Sequence, residues 1–394
     1  MSNFLSSSLP STATNLGHVT PSVYLTKDWP QVEPLWVKLA DSSPYSSFYV
    51  SAEWTGSWLE IFGELLQPQI LVFEEQGVAV GACLLVRSTE RRGPFRTRRI
   101  YLNTGGEDPA DRGTIEFNSL LCSPGYEQAI AKALGIHLHA LEWDEFVVEG
   151  ICPGPILSWL QSESFRNLLP LSIGRRSFHV DLNRLRQCDI PYENSLSPNT
   201  RHQLRRSLRL YSKWGPVRTE VAQDLARVKE FFDEMRQLHQ STWKARGEPG
   251  AFASGRRLAF HRTLIRRAFP RGGIQMLRVT AGNETVGVLY NFVQNGKVYF
   301  NQSGFNYSQD KRLKPGLVTH CCAIRYCLEQ GFGDYDFLAG EARYKRSLAK
   351  DCRHLARVVF ARPSIKLALI AFLRTVKRGI ETPARKQTTR ATPP

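Results

Sequence analysis

The chain has 394 residues, more than one ordinary core holds and enough for two or three domains. With 42% hydrophobic and 22% charged residues it is neither a disordered nor a fibrous sequence. Its net charge of +16 is unevenly spread: residues 1–186 carry 15 basic and 20 acidic side chains, net −5, and residues 187–394 carry 37 and 16, net +21. A basic half predicts an anionic partner, whether nucleic acid, lipid or a phosphorylated cosubstrate.

In chain order, residues 1–20 lack a basic n-region and an apolar h-region, so they read as a disordered leader of a cytoplasmic protein. Residues 69–86, QILVFEEQGVAVGACLLV, are two β-rich runs around a Glu-Glu-Gln-Gly turn, a hairpin signature. The basic stretch STERRGPFRTRR follows as a loop or excursion. Pro124-Gly125 opens a helix to about Leu141, and a strand starts near Trp143. In the second half Leu204, Leu208 and Tyr211 recur at i, i+4 and i+7, predicting a helix over 199–214. Helices over 225–246 and 257–269 follow, then strands at 274–281, 285–294 and 297–305 joined by Gly-Asn and Asn-Gly turns. A helix from Gly316 to about Gln330, a strand at 334–339, a short helix at 344–348 and a strand at 355–362 complete the order. The longest apolar run, residues 367–373, is far short of the roughly 18–20 residues of a membrane span.

The sequence repeats itself. Val80-Gly81 and Val286-Gly287 occupy the second strand of each hairpin, 206 residues apart. Pro124-Gly125 and Pro315-Gly316 each open a helix that leads to a strand, 191 residues apart. Shared order predicts a duplicated mixed α/β unit, residues 21–186 and 187–362. A basic amphipathic helix over 363–378 and a disordered tail over 379–394 follow. That helix would lie on an anionic membrane surface or pack back on the domain.

Two segments carry candidate chemistry. NYSQDKRLKPGLVTH, residues 306–320, places Lys311, Arg312 and Lys314 before a helix whose free N–H groups suit a pyrophosphate. Gly316 allows close approach. An ordinary solvated loop is the other reading, and no P-loop pattern is present. The matching first-half segment FNSLLCSPG has no Lys or Arg before its Pro-Gly, so only the second copy keeps such a cradle. DYDFLAGEARYKRSLA, residues 334–349, gathers Asp336, Glu341, Tyr344 and Lys345 at a strand end, where α/β sheets place ligands; a salt-bridged surface is the alternative.

Other features divide between bland and functional readings. Arg201, Arg205 and Arg209 form a stripe that is either solvated or contacts an anionic polymer or tRNA. His239 and Trp243 lie at a core edge or in an acceptor pocket. Residues 256–271 read as a basic surface, and His320 as a helix-surface histidine. The eight cysteines show no C-x-x-C, which fits reduced thiols and no metal site.

The order hairpin, strand, K-P-G-L helix and D-F-L-x-G-E-x-x-Y-K resembles GNAT-superfamily acyltransferases of the CelD-like group, associated with cellulose or exopolysaccharide biosynthesis. It is distantly similar to Fem-type aminoacyltransferases, which also carry two GNAT-like units. The resemblance spans about residues 20–362 and includes 197–214 and Trp243 to Gly247; Ser347-Leu348-Ala349 replaces the aromatic-Gly that often follows Tyr-Lys. It implies a tandem GNAT-like fold, acetyl-CoA or another acyl-CoA as cosubstrate, and an amine, hydroxyl or saccharide acceptor. Strands 297–305 and 334–339 would splay apart for the pantetheine. Lys311, Arg312, Lys314 and Gly316 would hold the pyrophosphate, and Asn301 would touch the thioester. Tyr344 would be the acid, Glu341 or Asp336 the base, and Lys345 would hold an anionic group or stabilise the loop. Trp243 and Arg246 would contact the acceptor. An aminoacyl-tRNA-dependent Fem-type enzyme is the runner-up, although no heptad arm is visible; a non-catalytic basic binding module is the third reading.

Overall fold

In a computed structural model the described residues are 18–161 and 169–370. The first half contains β1 (Thr20–Tyr24), α1 (Trp29–Ser42), α2 (Ala52–Leu66), β2 (Gln69–Glu75), β3 (Val78–Arg92), β4 (Phe95–Leu102), β5 (Leu121–Cys122), α3 (Glu127–His139), β6 (Glu145–Ile151), α4 (Pro155–Trp159) and β7 (Leu169–Asp181). The second contains α5 (Leu182–Gln187), α6 (Tyr192–Ser195), α7 (Pro198–Tyr211), β8 (Val217–Val221), α8 (Leu225–Lys244), α9 (Gly255–Ala268), β9 (Ile274–Ala281), β10 (Glu284–Gln294), β11 (Lys297–Phe305), α10 (Pro315–Glu329), β12 (Asp334–Ala339), α11 (Arg343–Leu348) and β13 (Asp351–Ala361). Ser197, Asp224 and Ser254 cap α7, α8 and α9 through side-chain oxygens that accept N–H bonds three residues on.

The strands form one mixed sheet in the order β1-β2-β3-β4-β6-β13-β7-β12-β11-β10-β9-β8, with β5 on β3. The repeat is visible in its irregularities. The register of β3 on β2 slips at Val80, and that of β10 on β9 slips at Val286. Each bulge is followed by a glycine with no room for a side chain: a Cβ would strike Ile130 of α3 at Gly81 and Thr319 of α10 at Gly287. Each Val-Gly therefore bends a strand and lets a helix close onto it.

The halves exchange their last strands. β7, from the first, pairs with β12; β13, from the second, pairs with β6; the two run antiparallel side by side at the sheet centre. One face carries α1, α2, α8 and α9 over an apolar cluster drawn from both halves, including Trp36, Trp54, Phe231 and Tyr290. On the other face α3 and α4 cover the first half, and α5, α6, α7 and α10 the second.

Several expectations change. STERRGPFRTRR is not a loop: it extends the β3–β4 hairpin, where Arg92 and Arg99 pair with Glu145 at 2.7 Å. Residues 256–271 are not a free basic surface. Arg256, Arg266, Arg267 and Arg271 pair with Asp111, Glu60, Glu33 and Glu53 of the first half, at 3.3, 2.6, 2.5 and 2.8 Å. The acidic and basic halves thus neutralise each other along α2 and α9. The leader's last residue, Thr20, already belongs to β1; residues 1–17 lie outside the described residues. Residues 365–370 are helical and dock on the first half, with Lys366 bonding Asp144 and the Arg96 carbonyl and Ile370 buried. The expected amphipathic helix beyond 370 and the tail lie outside the described residues. Among the described residues, no helix is long and apolar enough to cross a membrane. All eight cysteines are free, and Cys188 and Cys352 are exposed rather than buried.

Candidate active site

Parallel pairing of β11 with β12 covers only Lys297 to Tyr299 against Asp334 to Asp336. Beyond it the strands part, and a cleft of about 1090 Å³ opens between them. On the β11 wall, Tyr290 faces Gln302 and Asn291 faces Phe300, which leaves Asn301 as an unpaired bulge residue. Its Nδ2 is buried without a hydrogen-bond partner among the described residues.

The β12 wall is held in an unusual conformation. Leu338 has φ 61, a left-handed geometry that a bulky side chain rarely adopts. Three side chains secure this stretch. Asp336 Oδ1 accepts the Leu338 N–H at 2.7 Å. Lys345 Nζ donates to the Leu338 and Ala339 carbonyls at 2.9 and 2.8 Å. Glu116, from the first half, accepts the Ala339 N–H at 2.7 Å. Open backbone for a ligand therefore lies mainly on the β11 side.

The structure gathers Asn301, Lys311, Lys314, Gly316, Trp243, Arg246, Tyr344 and Lys345 around this cleft. Lys314 is the N-cap residue of α10, and its N–H donates to Ser207 Oγ at 2.9 Å. Pro315 has no N–H, so the amides of Gly316 and Leu317 are the free donors of the first turn. The Tyr344 ring stacks on His320 with centroids 5.7 Å apart and meets Phe337 edge-on. Desolvation in the cleft raises its pKa above the ordinary phenol value, and Tyr307 adds to this. It is a protonated donor at neutral pH.

Four expectations need correction, and the alternative left open at Lys345 is decided. Arg312 lies outside the cleft, folded onto Asp310 with its Nη2 2.8 Å from Oδ2. Glu341 is also outside: Arg176 of β7 grips both its oxygens at 2.8 and 2.7 Å and lowers its pKa, which makes it a poor base. Asp336 is fully buried; Ser177, the Leu338 amide and Arg353 occupy its carboxylate. Lys345 stabilises the strand end rather than holding a substrate anion, because two of its protons go to carbonyls. His320 is not a surface residue but lies 1% exposed beneath Tyr344, and burial lowers its pKa to about 3.

No sequence motif announced what the first half adds. Tyr49, Trp54, Thr114 and Glu116 line the same cleft. Burial raises the Glu116 pKa from 4.5 to about 7, a value suited to a base at neutral pH. Arg257 and His261 of α9 also line it. His239 is both core edge and cleft wall: Nδ1 contacts the Ser303 carbonyl at 3.0 Å, and Nε2 accepts the Ala251 N–H, so Nδ1 carries the proton.

The first half has the matching strand gap. β4 and β6 pair in parallel over Arg99 to Tyr101 against Glu145 to Val147 and then part. Here the chain fills the opening. Asn118 donates its N–H to the Gly150 carbonyl and its Nδ2 to the Leu102 carbonyl, bridging the two strands.

Among solved structures, the chain is similar to FemX (10% identity, TM-score 0.53, covering 83% of this chain and 95% of that one). It is also similar to L-PGS from Bacillus licheniformis (11% identity, TM-score 0.50, covering 88% and 96%). A tandem GNAT protein from the clavulanic acid biosynthesis pathway matches with 12% identity and a TM-score of 0.44 over 88% and 99%. At such identities the FemX and L-PGS likenesses speak for the fold alone. No curated protein matches. Residues 198–346, which hold β11, α10, β12 and most of α11, match the family model of the acetyltransferase (GNAT) domain.

Proposed function

We propose that this protein transfers an acyl group from acyl-CoA to an amine or hydroxyl acceptor, with CoA held by the second half and the base supplied by the first. The observation that carries this reading is the strand gap, open in the second half and bordered by a helix N-terminus with Lys311 and Lys314. The pyrophosphate would meet the Gly316 and Leu317 amides, and the thioester arm the backbone of residues 300–303. The acceptor nitrogen or oxygen attacks the thioester carbonyl as Glu116 takes its proton. Asn301 Nδ2 and the bulged β11 backbone stabilise the oxyanion. The C–S bond then breaks, and Tyr344 protonates the departing thiolate. The resemblance of residues 334–345 to the CelD-like group favours a saccharide of the cell envelope as acceptor.

Isothermal titration of the full chain with CoA and acetyl-CoA tests the first step. One site per chain is expected. Folded protein that binds neither at millimolar ligand overturns the reading. Transfer from aminoacyl-tRNA without CoA binding would put the Fem-type alternative in its place.

A further inference from the structure

Of the lysines and arginines on the cleft wall, Lys311 and Lys314 flank the α10 N-terminus and Lys345 is spent on carbonyls. Arg246 lies over the Trp243 ring at 5.5 Å, and Arg343 is exposed at the rim. Arg257 differs from all of these. Several other part-buried arginines meet a carboxylate: Arg99 meets Glu90 and Glu145, Arg325 meets Glu193, and Arg353 meets Asp334 and Asp336. On its own helix Arg256, Arg262, Arg266 and Arg267 do the same. Arg257 has no ion pair among the described residues; burial lowers its pKa, with no carboxylate to oppose the effect.

A second orphan stands beside it. His261, one turn further along α9, faces the same side, is 5% exposed, and its Nδ1 has no partner. Arg257 Nε has none either. Their surroundings offer no substitute. His239 has both ring nitrogens engaged, and Glu116, the one carboxylate on the wall among the described residues, is tied to the Ala339 amide. A desolvated guanidinium without a counter-charge is costly unless a ligand supplies one. Its planar fork fits the paired oxygens of a carboxylate or phosphate.

We infer that the acceptor carries a compact oxyanion, which Arg257 receives with His261 on the α9 wall of the cleft. This rests on the acyl-transfer reading above and narrows its acceptor class.

The test uses the full chain, saturated with CoA, and matched probes that differ in one group. Glucosamine 6-phosphate is compared with glucosamine, and β-alanine with β-alaninamide, by titration calorimetry. Tighter binding of the anionic member is expected in at least one pair, and which pair responds tells phosphate from carboxylate. Arg257→Gln should remove about 10- to 100-fold of that preference, the worth of a charge-assisted hydrogen bond, and Arg257→Lys should keep part of it. CoA affinity should not change. The Arg257→Gln protein should melt no lower than the parent, since a charge without a partner is removed. Equal binding within both pairs, or a preference that survives Arg257→Gln, overturns the inference. Failure of CoA itself to bind strikes the acyl-transfer reading instead, and is seen in a separate titration.

Discussion

In the first half, β4 and β6 separate after Tyr101 and Val147 around the protein's own Asn118; in the second, β11 and β12 separate after Tyr299 and Asp336 around a cleft. The segment that fills the first gap also reaches the second. Asn118 bridges Leu102 and Gly150, while Glu116, two residues earlier, bonds Ala339 across the exchanged strands. The segment thus braces one gap and presents a carboxylate to the other. Gly150 makes the brace possible: it has φ 67, and a Cβ there would strike the Ile115 carbonyl.

Removing the carboxylate that links the two gaps should have the largest effect. Glu116→Gln is expected to lower kcat about 10²- to 10⁴-fold, the usual worth of a positioned acid or base, with CoA affinity retained. Parent kcat/KM should rise with pH through about 7 as Glu116 loses its proton. Activity should then hold until Tyr344 ionises, above the ordinary phenol range. Stability should run the other way. The folded pKa of Glu116 lies above its ordinary 4.5, so the folded state binds the extra proton between about 4.5 and 7. This group's contribution is therefore lost as pH rises through that window, and Glu116→Gln should flatten the slope. A kcat within threefold of the parent would remove Glu116 from the chemistry; pH-dependent melting checks the second claim.

The next comparison is between the carboxylate that serves the cleft and the one that serves the sheet. Asp336→Ala leaves Arg353 without one of its two carboxylates and frees the Leu338 amide. Breaking a buried pair in this way costs about 3–5 kcal/mol, readable by urea denaturation. A loss of activity with unchanged stability would return Asp336 to the catalytic list.

Gly150→Ala should cost about 1–3 kcal/mol through crowding against the Ile115 carbonyl. Because it displaces the brace, it should also lower kcat while leaving the CoA dissociation constant alone. An enzyme with full kcat would show that the two gaps are independent.

Much of this architecture was readable where local pattern decides it. β9, β11 and β12 begin and end where alternation and the Asn-Gly turn put them, and Val80-Gly81 and Val286-Gly287 mark matching bulges in the two halves. The strand exchange was not readable, because which strand a strand pairs with leaves no local mark. The misread carboxylates follow from that. Asp336 and Glu341 are fixed by Arg353 on β13 and Arg176 on β7, the two exchanged strands. The cleft position of Tyr344 follows from two segments close in the chain, 306–320 and 334–349, whereas Glu116 meets Ala339 from 223 residues away.

Glu341 gives the smallest and most discriminating effect. Its pairing with Arg176 is bidentate, yet both side chains are about half exposed, at 52% and 44%. Water screens such a pair, so it adds little to stability. Glu341→Gln should therefore leave the melting temperature nearly unchanged. The paired carboxylate also lies outside the cleft and is held ionised below its ordinary pKa, so the substitution should not shift the pH profile. Glu116→Gln, by contrast, should abolish the limb near 7. Two glutamates flank the same strand end, and only the one in the cleft, with a raised pKa, should register in the rate. A Glu341→Gln enzyme that lost the limb would mean that Arg176 releases the carboxylate during turnover, and the base would then come from the second half after all.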